Sequence, residues 1–111
     1  MGVAKAGADA AYRRQARMRV IWSRRAERER WKQIAYIGER NPRAAIAIGD
    51  IVQASTRRLA DLPYSARSGR VPETRELVIP DTPFILVYRI KKDEVTIVRF
   101  LHEKLSWPQR K

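Results

Sequence analysis

Between Thr74 and His102 the chain reads as three short strands joined by tight turns, and this stretch limits the possible folds more than any other. Thr74 to Pro80, Phe84 to Ile90 and Glu94 to His102 are rich in Val, Ile, Leu, Thr and aromatics. Those side chains suit a pleated, half-buried surface. Pro80-Asp81-Thr82-Pro83 and Lys91-Lys92-Asp93 interrupt them with residues that favour turns. Each strand also carries one arginine among apolar neighbours: Arg75, Arg89 and Arg99. With 24 Lys and Arg against 12 Asp and Glu, the net charge is +12, so a sheet surface that meets something anionic is expected.

The segment before these strands supplies the helices. Met18 to Trp22 alternates and is expected to form a first strand. Ser23 suits a helix N-cap, and Ala26, Trp31, Ile34, Ala35 and Ile37 recur at helical spacing through about Gly38. Asn41-Pro42 restarts the chain, because Asn caps and Pro at the first helical position loses no needed hydrogen bond. Ala44, Ala45, Ile48, Ile51, Val52, Ser55, Leu59 and Leu62 then trace one face of a second helix that ends before Pro63. So short a connection predicts an antiparallel hairpin. Residues 62–73 are read as a loop carrying Arg67 and Arg70. The order β-α-α-β-β-β gives an α+β fold, a helical hairpin packed on a small, mostly antiparallel sheet.

Residues 1–17 have almost no large apolar side chain and are read as a basic, disordered tail; residues 18–111 form the domain. The chain has no cysteine, which excludes disulfides, thiol nucleophiles and cysteine-based zinc sites and makes the cytoplasm the default location. No apolar run approaches a bilayer span, so no membrane partner is expected. A lone histidine, His102, and the lack of a glycine-rich phosphate loop argue against a metal site, a catalytic triad and a nucleotide cofactor.

Alternation places Phe84, Leu86, Tyr88 and Ile90 on one strand face, towards the helices, and leaves Arg89 pointing outward with Ile85 and Val87. Arg75 depends on its turn: a four-residue loop from Pro80 to Pro83 sets it opposite Tyr88, and one residue more sets it opposite Arg89. Arg99 is equally open. Arg75 paired with Glu73 or Asp93, and Arg99 paired with a neighbouring acid, are the structural alternatives to a shared anionic site. His102 is either hydrogen-bonded at a strand end or a general acid or base. Trp107, beside Pro108, is either a lid on the sheet edge or a stacking surface.

Several ordered segments together resemble the RelE/ParE toxin superfamily over about Met18 to Pro108. They are Tyr36-Ile37…Asn41-Pro42-x-Ala44-Ala45, Gly69-Arg70-Val71-Pro72-x-Thr74-Arg75-Glu76-Leu77-Val78, Thr82 to Ile90, Val98-Arg99-Phe100-Leu101-His102 and Trp107-Pro108. The resemblance implies the toxin of a bacterial type II toxin–antitoxin pair, bound by a cognate, acidic antitoxin in a hetero-oligomer. RelE-like members cut mRNA on the ribosome, whereas ParE-like members poison DNA gyrase. Ile85 stands where RelE-like nucleases often carry Arg, and the Arg-Phe-Leu-His strand looks closer to ParE. The expectation is therefore a ParE-like toxin that acts on gyrase by binding, without catalysis of its own. Arg67, Arg70, Arg75, Arg89, Arg99 and Trp107 are its candidate binding residues. The alternatives are a ribosome-dependent mRNA endonuclease, with Arg75, Arg89, Arg99 and His102 as catalytic groups, and a non-toxic nucleic-acid-binding domain.

Overall fold

The computed structural model describes residues 17–108. The tail assigned to residues 1–17 thus lies outside the described residues except for Arg17. Five strands and two helices follow: β1 (Arg19–Trp22), α1 (Arg24–Arg40), α2 (Pro42–Asp61), β2 (Arg67–Ser68), β3 (Arg75–Val78), β4 (Phe84–Lys91) and β5 (Glu94–His102). They build one sheet in the order β1-β5-β4-β3-β2, with β1 parallel to β5 and the remaining pairs antiparallel. The α+β fold expected from the sequence is the one found.

Local chemistry sets the helix ends. Ser23 accepts a hydrogen bond from the Ala26 amide and Asn41 accepts one from Ala44, each meeting an amide that the first turn leaves unpaired. Asn41 also ends α1, because its own amide bonds to the Ile37 carbonyl. The first helix consequently runs to Arg40 and not to Gly38. Gly38 serves packing instead of capping: a Cβ there would lie 3.5 Å from the Cβ of Ala45, so the two helices meet closely at this point.

The hairpin covers the face predicted for it. Ala26, Val52 and Leu59 from the helices join Phe84, Leu86, Tyr88, Val95, Ile97 and Phe100 from the sheet in the main core. Tyr88 is fully buried and its hydroxyl donates to the Pro63 carbonyl at 2.6 Å. Burial raises its pKa, and the Arg75 charge and a backbone hydrogen bond from Ala66 only partly oppose that. The other face carries a smaller apolar cluster of Ile85, Val87 and Leu101, with Val98 and Trp107 packed on it.

Two further features differ from the sequence expectation. Residues 62–73 are not wholly loop, since Arg67 and Ser68 pair with Glu76 and Arg75 as a short fifth strand. Two polar residues carry no alternation, so only the pairing reveals them. In β5 the register slips: Val87 faces Arg99, but Tyr88 faces Ile97, and Val98 is the extra residue. Such a bulge reverses the alternation. Unbroken alternation from Val95 and Ile97 would send Arg99 into the core, whereas the bulge turns it to the outer face.

Gly69 holds β2 and β3 together. Its amide donates to the Thr74 carbonyl at 2.7 Å, and a Cβ would sit 2.1 Å from the Thr74 hydroxyl and 3.0 Å from its backbone. Gly69→Ala is therefore expected to cost about 2 kcal/mol, within the range for overpacking. Chemical unfolding checks this; an unchanged midpoint would show that the loop relaxes freely.

Candidate binding cleft

The arginines singled out in the sequence separate into three environments. The observed register sets Arg75 opposite Tyr88, as the four-residue loop requires. Arg75 Nη1 donates to the carbonyls of Tyr64 (3.3 Å) and Ala66 (2.8 Å), and its guanidinium carbon lies 5.0 Å from the Tyr64 ring centroid. It pairs with neither Glu73 nor Asp93. Arg89 is exposed on β4, and among the described residues its side chain has no hydrogen-bond or ion-pair partner.

Arg99 is 7 % exposed and locked to Glu29 of α1, with Nε at 2.8 Å and Nη2 at 2.7 Å from Oε2. The partner is an acid, as one alternative expected, but it comes from a distant helix. Its position has a structural cause: β1 ends at Trp22 opposite Ile97, so β5 beyond that point lacks a strand neighbour on this side. The Glu29 carboxylate fills the gap by accepting the Phe100 amide at 2.9 Å.

A second carboxylate, this one buried, organises the outer face. Glu76 is 2 % exposed and accepts from Arg67 Nη2 (3.0 Å), the Arg70 amide (2.9 Å), Arg70 Nη2 (2.9 Å) and Trp107 Nε1 (3.2 Å). Burial alone would raise its pKa; the hydrogen bonds from Arg70 and Arg67 and the Arg70 charge outweigh that and bring it to about 2. Trp107 thus lies over the sheet face rather than at its edge, with its ring centroid 4.9 Å from the Arg99 guanidinium carbon. Glu76 and Arg99 thereby hold Trp107, and the C-terminal segment with it, against the outer face, while Arg67 and Arg70 balance the Glu76 charge.

His102 sits apart from Arg75 and Arg89. Its Nδ1 accepts the Lys104 amide at 3.1 Å and its ring meets Phe84 edge-on. It pairs with Phe84 at the opposite end of β4 from Arg89. At the usual strand rise that separation is roughly 17 Å.

What does come together is a cleft of about 800 Å³ at the open end of the sheet. β4 continues to Lys91 beyond the start of β3, and the connection from Gly69 to Thr74 folds beside the notch. Arg75, Arg89, Lys91, Tyr64 and Thr96 line it, with Glu73 the only carboxylate among the lining residues. Tyr64 and Lys91 were not anticipated from the sequence; the signals were an aromatic in a Pro-Tyr-Ser loop and a Lys-Lys turn. Among the described residues, no group of three or more His, Asp or Glu is placed to hold a metal ion, and no helix is long and apolar enough to cross a membrane.

The arrangement defines a basic α+β domain whose cationic surface is suited to holding a partner. Comparison with known proteins then places it. Residues 20–107 match the family described as the ParE toxin of the type II toxin–antitoxin system, parDE. Y4kP of Sinorhizobium fredii, a protein named as a candidate toxin, is 39% identical over 94 residues, covering 85% of this chain and 97% of that protein. The toxin RelE1 of Caulobacter vibrioides is 34% identical over 85 residues, 75% of this chain and 90% of the relative. A chain from the chromosomal ParDE system of P. aeruginosa shares the fold at a TM-score of 0.69 and 20% identity, over 78% of this chain and 97% of that one. The chain belongs to the ParE toxin family of type II toxin–antitoxin systems.

Proposed function

We propose that this protein inhibits growth by binding DNA gyrase and that a cognate antitoxin neutralises it. The observation carrying this reading is the separation of the groups an RNase would need. A metal-free ribonuclease must activate the ribose hydroxyl and stabilise the phosphorane at one place. Here His102, on β5 beside Phe84, lies at the opposite end of the β4–β5 pair from Arg89, and Arg99 is neutralised by Glu29. Ile85, at the position where RelE-like nucleases often carry Arg, is buried in an apolar cluster.

Adding the purified protein to a translating mRNA is expected to leave the message intact. Ribosome-dependent cleavage would replace this reading with the nuclease one. The antitoxin is expected to be an acidic protein encoded alongside, and at a net charge of +12 its association should be steered electrostatically. The on-rate should therefore fall as ionic strength rises; a rate indifferent to salt would contradict steering.

A further inference from the structure

We propose that the cleft lined by Tyr64, Arg75, Arg89 and Lys91 is a binding site for single-stranded nucleic acid. The inference goes beyond the gyrase reading and does not depend on it. Arg89 and Lys91 are two residues apart on β4, which puts them on one face about 6.8 Å apart. That spacing is comparable with the distance between successive phosphates of an extended single strand. Neither side chain has a hydrogen-bond or ion-pair partner among the described residues, so phosphate contact breaks no internal bond. Thr96 lies directly opposite Arg89 and adds a hydroxyl to the same wall.

Tyr64 supplies the second element. It is 63% exposed, and Arg75 holds it in place by packing its guanidinium over the ring while donating to the Tyr64 carbonyl. Arg75, paired with Tyr88, and Arg89 point to opposite faces of the sheet, so the ring and the unpaired cations border the cleft from its two sides. The ring is then a stacking platform for a base across the notch from a phosphate track. An acidic peptide would be met by the cations alone and would gain little from the ring. That difference favours nucleic acid over an acidic protein segment.

The test is fluorescence anisotropy of the full chain with a labelled single-stranded DNA oligonucleotide over a salt series. Wild-type protein should bind, with affinity falling as salt rises. Arg89→Ala and Lys91→Ala should each weaken binding several-fold and each reduce the salt slope by about 0.7. Tyr64→Ala should weaken it about tenfold, whereas Tyr64→Phe should stay within about twofold because the stacking face remains. Arg43→Ala, exposed on α2 away from the cleft, should leave binding unchanged. Thermal melting of each variant separates loss of the site from loss of the fold. Absent wild-type binding, equal losses for Arg43→Ala and Arg89→Ala, or equal binding by the Tyr64→Ala and Tyr64→Phe proteins would overturn the proposal. So would displacement of the oligonucleotide by polyglutamate at matched charge, which would assign the cleft to an acidic segment.

Discussion

Glu76→Gln is expected to lower stability by about 3 kcal/mol at neutral pH, near the bottom of the range for removing one member of a buried ion pair. The lower end applies because the side chains of Arg67 and Arg70 are 56% and 46% exposed and can recover hydration once the carboxylate is gone. The indole N–H of Trp107 cannot do so as easily, so the C-terminal segment should loosen with the substitution. The pH dependence distinguishes charge from packing. The Glu76 pKa falls from 4.5 to about 2 on folding, so its contribution is complete above about 4.5 and disappears as pH falls through the folded value. A shift of that size corresponds to about 3 kcal/mol. Urea unfolding of both proteins from pH 7 to pH 2 should show the difference shrinking across that window. A difference that stays constant with pH would mean that the carboxylate acts by shape alone.

The second large effect is expected at Arg99. Arg99→Ala should cost about 3 kcal/mol, since it strips Glu29 of its two shortest contacts and leaves that carboxylate with the Phe100 amide and the more distant Arg25. Arg99→Lys should recover only part of this, because an ammonium cannot grip both carboxylate oxygens in the manner of a guanidinium. In a double-mutant cycle with Glu29→Gln, the two losses should be strongly non-additive, with a coupling of about 2 kcal/mol. Additive losses would show that Arg99 matters mainly for its packing beneath Trp107.

These two carboxylates also mark where sequence reading stopped. Ser23, Asn41-Pro42 and the alternation of β4 are local signals, and they located the caps and the helix-facing side; the register of Arg75 stayed open between Tyr88 and Arg89 until the strand pairing decided it. Glu29 and Glu76 look like ordinary polar positions in the sequence. Their roles arise only when a helix meets an open strand edge and when two arginines and an indole converge on a sheet face. The bulge at Val98 is equally silent, yet it decides whether Arg99 enters the core or the outer face. The basic cleft was half legible: Arg89 followed from alternation, but the notch that brings Tyr64 and Lys91 beside it follows from unequal strand lengths.

An arginine in each of three strands suggested a sheet surface that meets something anionic. The structure divides the same residues between tasks. Arg67 and Arg70 neutralise the buried Glu76 and Arg99 neutralises the half-buried Glu29, while Arg89 and Lys91 stay open to solvent at the cleft. Substituting the first group should therefore change stability, and substituting the second should change binding with little effect on folding.

The central claim is that this ParE-family chain acts by binding gyrase rather than by cutting RNA. The most direct measurement is supercoiling by purified gyrase with increasing amounts of the purified protein, with and without its antitoxin. The account predicts loss of supercoiling as the toxin is added and recovery when the antitoxin is supplied. Undiminished supercoiling at a large excess of folded toxin would contradict it.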